Sequence, residues 1–229
     1  MKIYSYSDNI QGMNITWYGQ SCFRIEVKDT SILIDPFSKE IGLRAPRIKD
    51  DLVLTTHDHY DHHNLADLSP EALAKGEAFL IEHPGEYERK GIYVRGIRSF
   101  HDKAQGVERG LNTIYIIRAD DISICHLGDL GQEELSDTQI ETIGDTDVLM
   151  VPVGGTYTLD AKEAAHVVGQ IEPRIIIPMH YKVSGLTISL DGPDKFIKEI
   201  GLMPEKLEKL KLAKKTIPTE ETKLVVFTL

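Results

Sequence analysis

The sequence predicts an α/β protein in which two packed β-sheets are covered by helices. Three observations carry that prediction. Strand-like and helix-like segments interleave along the chain instead of segregating into blocks, as layered α/β folds require. Several short runs, such as Leu52-Val53-Leu54, are apolar throughout, the pattern of a buried strand. Two segments also echo each other: SCFRIEVKDTSILID reads as a hairpin ending on Asp35, and NTIYIIRADDISICHLGD as a hairpin ending on Asp129. Two such halves suit two sheets that share one edge.

Taken in order, residues 14–18, 22–27 and 31–34 read as consecutive strands, with Lys28-Asp29-Thr30 as the tight turn between the last two. Residues 52–54 follow as a buried strand. The segments 92–97, 113–118 and 122–125 repeat the style, with Ala119-Asp120-Asp121 as a turn. Residues 148–151 and 175–177 are further buried strands. Helices fit 133–143 and 160–171; Asp160 and Glu163 form a capping box for the second, which ends before Pro173. From about Asp191 the chain is richer in lysine, with a surface helix between Pro193 and Gly201 and a final strand over 223–228. No linker interrupts this pattern, so residues 1–229 are expected to form a single domain on which 191–229 packs.

Composition narrows the function. A 229-residue chain that is 41% hydrophobic and 27% charged is ordinary for a soluble globular protein. Its two cysteines, Cys22 and Cys125, lie far apart without metal-ligand spacing, which favours a reducing, cytoplasmic setting over a disulfide framework. The opening MKIYSYSDNIQGMNITW lacks the apolar region and cleavage site of a signal peptide, and no apolar run reaches the ~18 residues of a membrane span. With 36 acidic against 26 basic residues, the formal charge of −10 disfavours an extended nucleic-acid surface. It leaves room for a small, even anionic, substrate, because a metal pocket sets its own local field. A homo-oligomer stays open.

The segment Leu54-Thr55-Thr56-His57-Asp58-His59-Tyr60-Asp61-His62-His63 is the decisive one. Its histidines and acids crowd the positions just after a buried strand. His57 and His59 are two apart, so in an extended segment they point the same way. A following turn can bring Asp61 and His62 round to a neighbouring position, enough to feed two metals. Imidazole with carboxylate suits Zn²⁺, Fe²⁺ or Mn²⁺. Further donors sit where other strands end: His101 after GIYVRGIRSF, Asp129 after ISICHLG, and His180 after RIIIPM. Site residues held at the ends of rigid elements have this placement.

The spacing resembles the metallo-β-lactamase superfamily. Its HxHxDH motif stands here as His57-Asp58-His59-Tyr60-Asp61-His62, followed in order by His101, Asp129 and His180. The resemblance runs from ITWYGQSCFRI through ILIDPF to IIIPMHY. The stretches HPGEYERKGIYV, GLNTIYII and IIIPMHY look like the branch that includes L-ascorbate-6-phosphate lactonase-like proteins. The family implies a four-layer αββα sandwich with two divalent metal ions at one edge of the sheets, zinc first, with manganese or iron as alternatives. It implies His57, His59 and His101 at one metal, Asp61, His62 and His180 at the other, and Asp129 between them. Asp35 is similar to a family position behind the ligands, where it can fix a histidine tautomer; it is otherwise a strand-ending acid before Pro36.

Such a centre implies a hydrolase whose metal-bridging hydroxide attacks a small ester, lactone or phosphoester, with Asp61 able to accept or return a proton. Arg109, in the loop after His101, can hold a phosphate or carboxylate, or be an ordinary surface arginine. Tyr181 places a phenol beside His180, to donate to the reacting oxygen or to pack. An iron-dependent oxidoreductase on the same fold and a non-catalytic, metal-stabilised binding module are the competing readings. Structural zinc sites are closed by four ligands, whereas seven donors are intact here. His63, His83, His126 and His166 are expected to stand outside the centre, and Cys22 and Cys125 to be small core residues.

Overall fold

A computed structural model describes residues 12–229; residues 1–11, and with them most of the leaderless N-terminus expected above, lie outside the described residues. Strands β1 (Met13–Gly19) and β2 (Cys22–Val27) bury alternate side chains, so one face of each is apolar. They form an antiparallel meander with β3 (Thr30–Ile34). β4 (Leu52–Leu54) lies parallel to β3, and β5 (Phe79–Ile81) parallel to β4 after the short helix α1 (Pro70–Ala74). The second sheet starts with four antiparallel strands: β6 (Gly85–Arg89), β7 (Ile92–Phe100), β8 (Leu111–Ala119) and β9 (Ile122–His126). Helix α2 (Asp137–Ile143) leads to β10 (Val148–Pro152), and α3 (Ala161–Ile171) to β11 (Ile175–Met179), both strands parallel to β9. Then come α4 (Asp194–Ile200), β12 (Pro204–Leu207), β13 (Leu210–Leu212) and β14 (Lys223–Phe227).

The sheets have the orders β13-β1-β2-β3-β4-β5 and β12-β14-β11-β10-β9-β8-β7-β6. The tail therefore enters both: β13 pairs with β1, and β14 lies between β11 and β12. Phe23, Ile25, Ile32 and Ile34 of the first sheet share one core with Val94, Ile114, Ile116 and Met150 of the second. Every residue of β10 and β11 is buried, because the first sheet and its core cover one face and the helices the other. On the outer face of the first sheet, Cys22 and Leu33 pack with Phe37, Ile41 and Leu186 in a smaller cluster.

The interleaved elements are those the sequence predicts, with three differences. The helix expected over 133–143 starts only at Asp137, because Ser136 and Gln139 form its capping box and fix the entry there. The strand placed over 92–97 runs to Phe100, the full length of the GIYVRGIRSF stretch whose end was expected to carry His101. Helix α1 and strands β5, β6, β12 and β13 had no expectation. β6 is Gly-Glu-Tyr-Glu-Arg at a sheet edge, half-exposed throughout, so its sequence has no apolar period to read.

Topology sends the chemistry to one edge. β7, β9, β10 and β11 run in the same direction, so the loops after them emerge together. In the first sheet that edge receives the loops after β3 and β4 and the β1–β2 turn. Hydrogen bonds clamp the sheets there, among them Thr113 N–H to Thr56 O at 2.9 Å and the Tyr115 hydroxyl to Thr55 O at 2.9 Å. Among the described residues, no helix is long and apolar enough to cross a membrane.

Candidate metal centre

Residues 55–63 leave β4 as a loop that closes on itself: the N–H groups of His62 and His63 both donate to His59 O, at 2.9 and 2.8 Å. This turn brings Asp61 and His62 back beside His57. Their ligand atoms meet those of His101, Asp129 and His180, forming the groups His57/His59/His101, His57/His62/Asp129 and Asp61/His62/His180, each within 4.8 Å. All seven donors named from the sequence are thus together. His59 is the least buried of them.

The hub is one atom. Asp129 Oδ2 lies 3.1 Å from His180 Nε2, 3.2 Å from His62 Nε2, 3.5 Å from His101 Nε2 and 4.0 Å from His57 Nε2. Its other oxygen accepts from Ser21 Oγ at 3.1 Å, and its backbone N–H donates to Asn112 Oδ1 at 3.0 Å. Gly128 makes this approach possible. It has φ of 57°, and a Cβ there would meet Asn112 Oδ1 at 2.3 Å and Thr56 Cβ at 2.8 Å.

Asp35 sets the tautomers from behind. Its Oδ1 accepts Thr56 N–H at 2.8 Å, and its Oδ2 accepts the Thr56 hydroxyl at 2.8 Å and His62 Nδ1–H at 3.0 Å. A hydroxyl has one proton, and Thr56 gives it to Asp35; toward His57 Nδ1, 2.9 Å away, it can only accept. Both imidazoles therefore carry hydrogen on Nδ1 and turn Nε2 toward the centre. Those two Nε2 atoms are buried without a hydrogen-bond partner. Buried nitrogens left unpaired are costly, and a cation would engage their lone pairs, so the donor set fits divalent metal ions.

The electrostatics agree. His62 is pushed well above the usual imidazole range: burial opposes its charge, but Asp129 and Asp61 outweigh burial. Asp129 is held well below the carboxylate range, since His180 and His62 overcome the effect of its burial. Asp61 is held low in the same way, chiefly by His62. His57 is pushed well down by burial and by the charge of His62. A cation at the centre would supply the positive charge that these acids favour.

The centre opens into a cleft of about 330 Å³ walled by Tyr60, Arg109, Tyr157 and Ile188. Arg109 stands with its guanidinium carbon 5.6 Å from the Tyr157 ring centre, and among the described residues Glu108 is the carboxylate that approaches it, at 3.9 Å. Asp102 shapes its loop. That carboxylate accepts the backbone N–H groups of Ala104, Gly106, Glu108 and Arg109 at 2.7–3.1 Å. A larger cavity of about 820 Å³, walled by Asp145, Arg174 and Lys214 among others, shares no residue with the centre.

Tyr181 requires a correction. It is buried with its ring 4.9 Å from Trp17, and its hydroxyl donates to Phe227 O at 3.3 Å, so it packs the core and does not serve the cleft. His63 lies outside the centre, between Asp58 and Glu82 at 3.0 and 2.7 Å. His126 bonds Ser21 O through Nε2 and receives Gly128 N–H on Nδ1, while His166 is exposed. Gln20, Ser21, Thr56, Asp102, Asn112 and Tyr157 escaped the sequence reading. Only Asp102, an acid opening a loop with glycines at 106 and 110, carried a local signal, that of a turn acid accepting nearby N–H groups.

Residues 14–180 match the family described as Beta-lactamase superfamily domain. A UPF0173 protein of Pyrococcus furiosus is 34% identical over 82% of this chain and 90% of its own length. A UPF0173 metal-dependent hydrolase of Pyrococcus horikoshii is 30% identical over 82% of this chain and 92% of its own. Among solved structures, a protein of the metallo-beta-lactamase superfamily from Thermotoga maritima superposes with a TM-score of 0.74 at 34% identity, over 95% of this chain and 100% of that one.

Proposed function

The chain belongs to the beta-lactamase superfamily, and from that premise we propose that it is a dinuclear metal-dependent hydrolase of small anionic esters, lactones or phosphoesters. The observation that carries the reading is the single carboxylate oxygen, Asp129 Oδ2, with four imidazole nitrogens 3.1–4.0 Å around it. That arrangement suits a bridge between two ions better than a closed structural site of four ligands. His57, His59 and His101 would hold one ion, Asp61, His62 and His180 the other. The Thermotoga neighbour is described as a candidate Zn-dependent hydrolase, which makes zinc the first metal to test.

When bound, a pair of divalent ions supplies water acidified toward neutral pH and positive charge opposite a developing oxyanion. The remaining work falls to the chain. Asp35, through Thr56 and directly, keeps the His57 and His62 rings in the tautomers that aim Nε2 inward. Asp61, one of the donors lining the cleft, is placed to pass a proton between the attacking water and the leaving group. Arg109 supplies a guanidinium whose carboxylate neighbour among the described residues, Glu108, stands 3.9 Å away, which suits it to a substrate phosphate or carboxylate. Tyr60 and Tyr157 narrow the opening to the size of a small molecule.

Metal analysis of protein purified without added metal, followed by a screen of lactones, esters and phosphodiesters with the Zn²⁺ and Mn²⁺ forms, tests the proposal. The expected result is two equivalents of metal and hydrolysis that His59→Ala abolishes. Iron with substrate-dependent oxygen consumption would refute it in favour of an oxidoreductase. Full metal loading without hydrolysis of any class would refute it in favour of a binding module.

A further inference from the structure

Gln20 sits in the β1–β2 turn with φ of 50° and no exposed surface. Its backbone is tied to a metal donor: Gln20 O accepts His180 N–H at 3.0 Å and Trp17 Nε1–H at 2.9 Å. Its side chain enters the centre, where Nε2 lies 3.0 Å from Asp61 Oδ2 and 3.2 Å from His180 Nε2. The amide oxygen Oε1 is buried with no hydrogen-bond partner.

The distances relate the amide atom that faces the donors to a possible ion. Two donor atoms about 2.1 Å from one ion, at 90–110° to each other, are separated by roughly 3.0–3.4 Å. The Gln20 amide atom stands at that separation from both Asp61 Oδ2 and His180 Nε2, which is the spacing a third donor to an ion held by those two would have. The two ends of a carboxamide have nearly the same shape, and a half-turn exchanges oxygen for nitrogen. Without an ion, Nε2 faces inward because Asp61 Oδ2 needs a donor. With an ion between Asp61 and His180, those N–H groups would face positive charge, and the turned amide would present Oε1 instead.

Resting on the dinuclear reading above, we propose that Gln20 is a further donor to the second metal position, beside Asp61, His62 and His180, through its carboxamide oxygen. The assignment adds a neutral oxygen donor to a site otherwise built from two imidazoles and carboxylate, and so favours ions that accept oxygen readily.

The test is metal uptake by metal-free protein, independent of activity. Wild type, Gln20→Leu and Gln20→Glu are dialysed against buffered free Zn²⁺ and assayed for bound metal, and the Co²⁺ forms are compared by visible absorption. The first equivalent should bind alike in all three. The second should bind about 10–100-fold more weakly in Gln20→Leu, with a changed Co²⁺ spectrum, and no more weakly than wild type in Gln20→Glu. An unchanged second equivalent and spectrum in Gln20→Leu would overturn the assignment. So would weaker binding in Gln20→Glu, the sign of a glutamine that only donates to Asp61, and this result decides alone if Gln20→Leu fails to fold. Wild type that takes up one equivalent overturns the dinuclear reading itself, whereas a second equivalent bound by Gln20→Leu with wild-type affinity sinks only the role of Gln20.

Discussion

Replacing Asp35 with alanine should both destabilise the metal-free protein and loosen its grip on metal. Asp35 is fully buried, and its two oxygens accept three hydrogen bonds of 2.8, 2.8 and 3.0 Å from Thr56 and His62. Alanine leaves the Thr56 N–H and His62 Nδ1–H buried without acceptors. Hydrogen bonds to a buried charge contribute about 1.5–3 kcal/mol each, but such losses do not add fully, and breaking a buried ion pair costs about 3–5 kcal/mol. We expect roughly 3–5 kcal/mol in urea unfolding of the metal-free protein, or about 6–20 °C in melting temperature for a chain of this size. Metal affinity should fall about 10–100-fold, because both His57 and His62 lose the tautomer that aims Nε2 inward. Asp35→Asn should fall between, since the amide oxygen keeps Thr56 N–H while the nitrogen meets the His62 donor. A change below about 1 kcal/mol with unaltered affinity would refute the chain from Asp35 through Thr56 to the imidazoles, and leave Asp35 as a strand-ending residue held at φ of 48°.

Arg109→Ala should lower kcat/KM for anionic substrates about 10–100-fold, the worth of a charge-assisted contact, while sparing a neutral ester; equal losses on both in steady-state kinetics would show that Arg109 is no anion contact. Gly128→Ala should cost on the order of 2–4 kcal/mol in thermal unfolding, since its Cβ would meet Asn112 Oδ1 at 2.3 Å from a φ of 57°; a neutral effect would mean the Asp129 loop can shift freely. The thiols give a pH prediction. Burial, aided by Asp35, pushes Cys22 well up, and burial pushes Cys125 up too, so both stay protonated in the folded protein while the unfolded chain ionises above about pH 8.5. The folded state then holds more protons, so stability should fall as pH rises past that point, with neither thiol reacting with a disulfide reagent until unfolding; rapid native labelling would contradict the burial argument.

The parts of the fold that were legible in the sequence are those whose burial leaves a period. β1 and β2 alternate, β4, β10 and β11 are apolar throughout, and α3 carries its capping box in Asp160 and Glu163. The paired hairpins ending on Asp35 and Asp129 were legible too, and each delivers its acid to His62, one at Nδ1 and the other at Nε2. What failed was structure at the sheet edges. β6, β12 and β13 are short, flank only one neighbour or lie half-exposed, and are held by backbone pairing that any side chain permits.

At the site, the division follows chemistry. Histidine and aspartate are expensive to cluster, so seven of them after strand ends are visible one-dimensionally, as His57-Asp58-His59-Tyr60-Asp61-His62 shows. The residues that tune them are ordinary in type and become informative only by position. Thr56 matters because its single hydroxyl proton is spent on Asp35, which dictates what His57 can do. Asp102 matters because four backbone N–H groups converge on it and so fix where Arg109 begins. Tyr181 shows the converse: adjacent to His180 in sequence, it points the other way, because His180 takes the left-handed conformation at φ of 50° and the chain turns there. Gln20 has a φ of 50° as well and is bonded to His180 through both backbone and side chain, so the two turns that carry these residues are coupled across the sheets. A rearrangement that moved His180 would have to move Gln20 and the β1–β2 turn with it. That coupling is the physical reason Gln20 is proposed as a donor beside His180 and not left with the core it otherwise resembles.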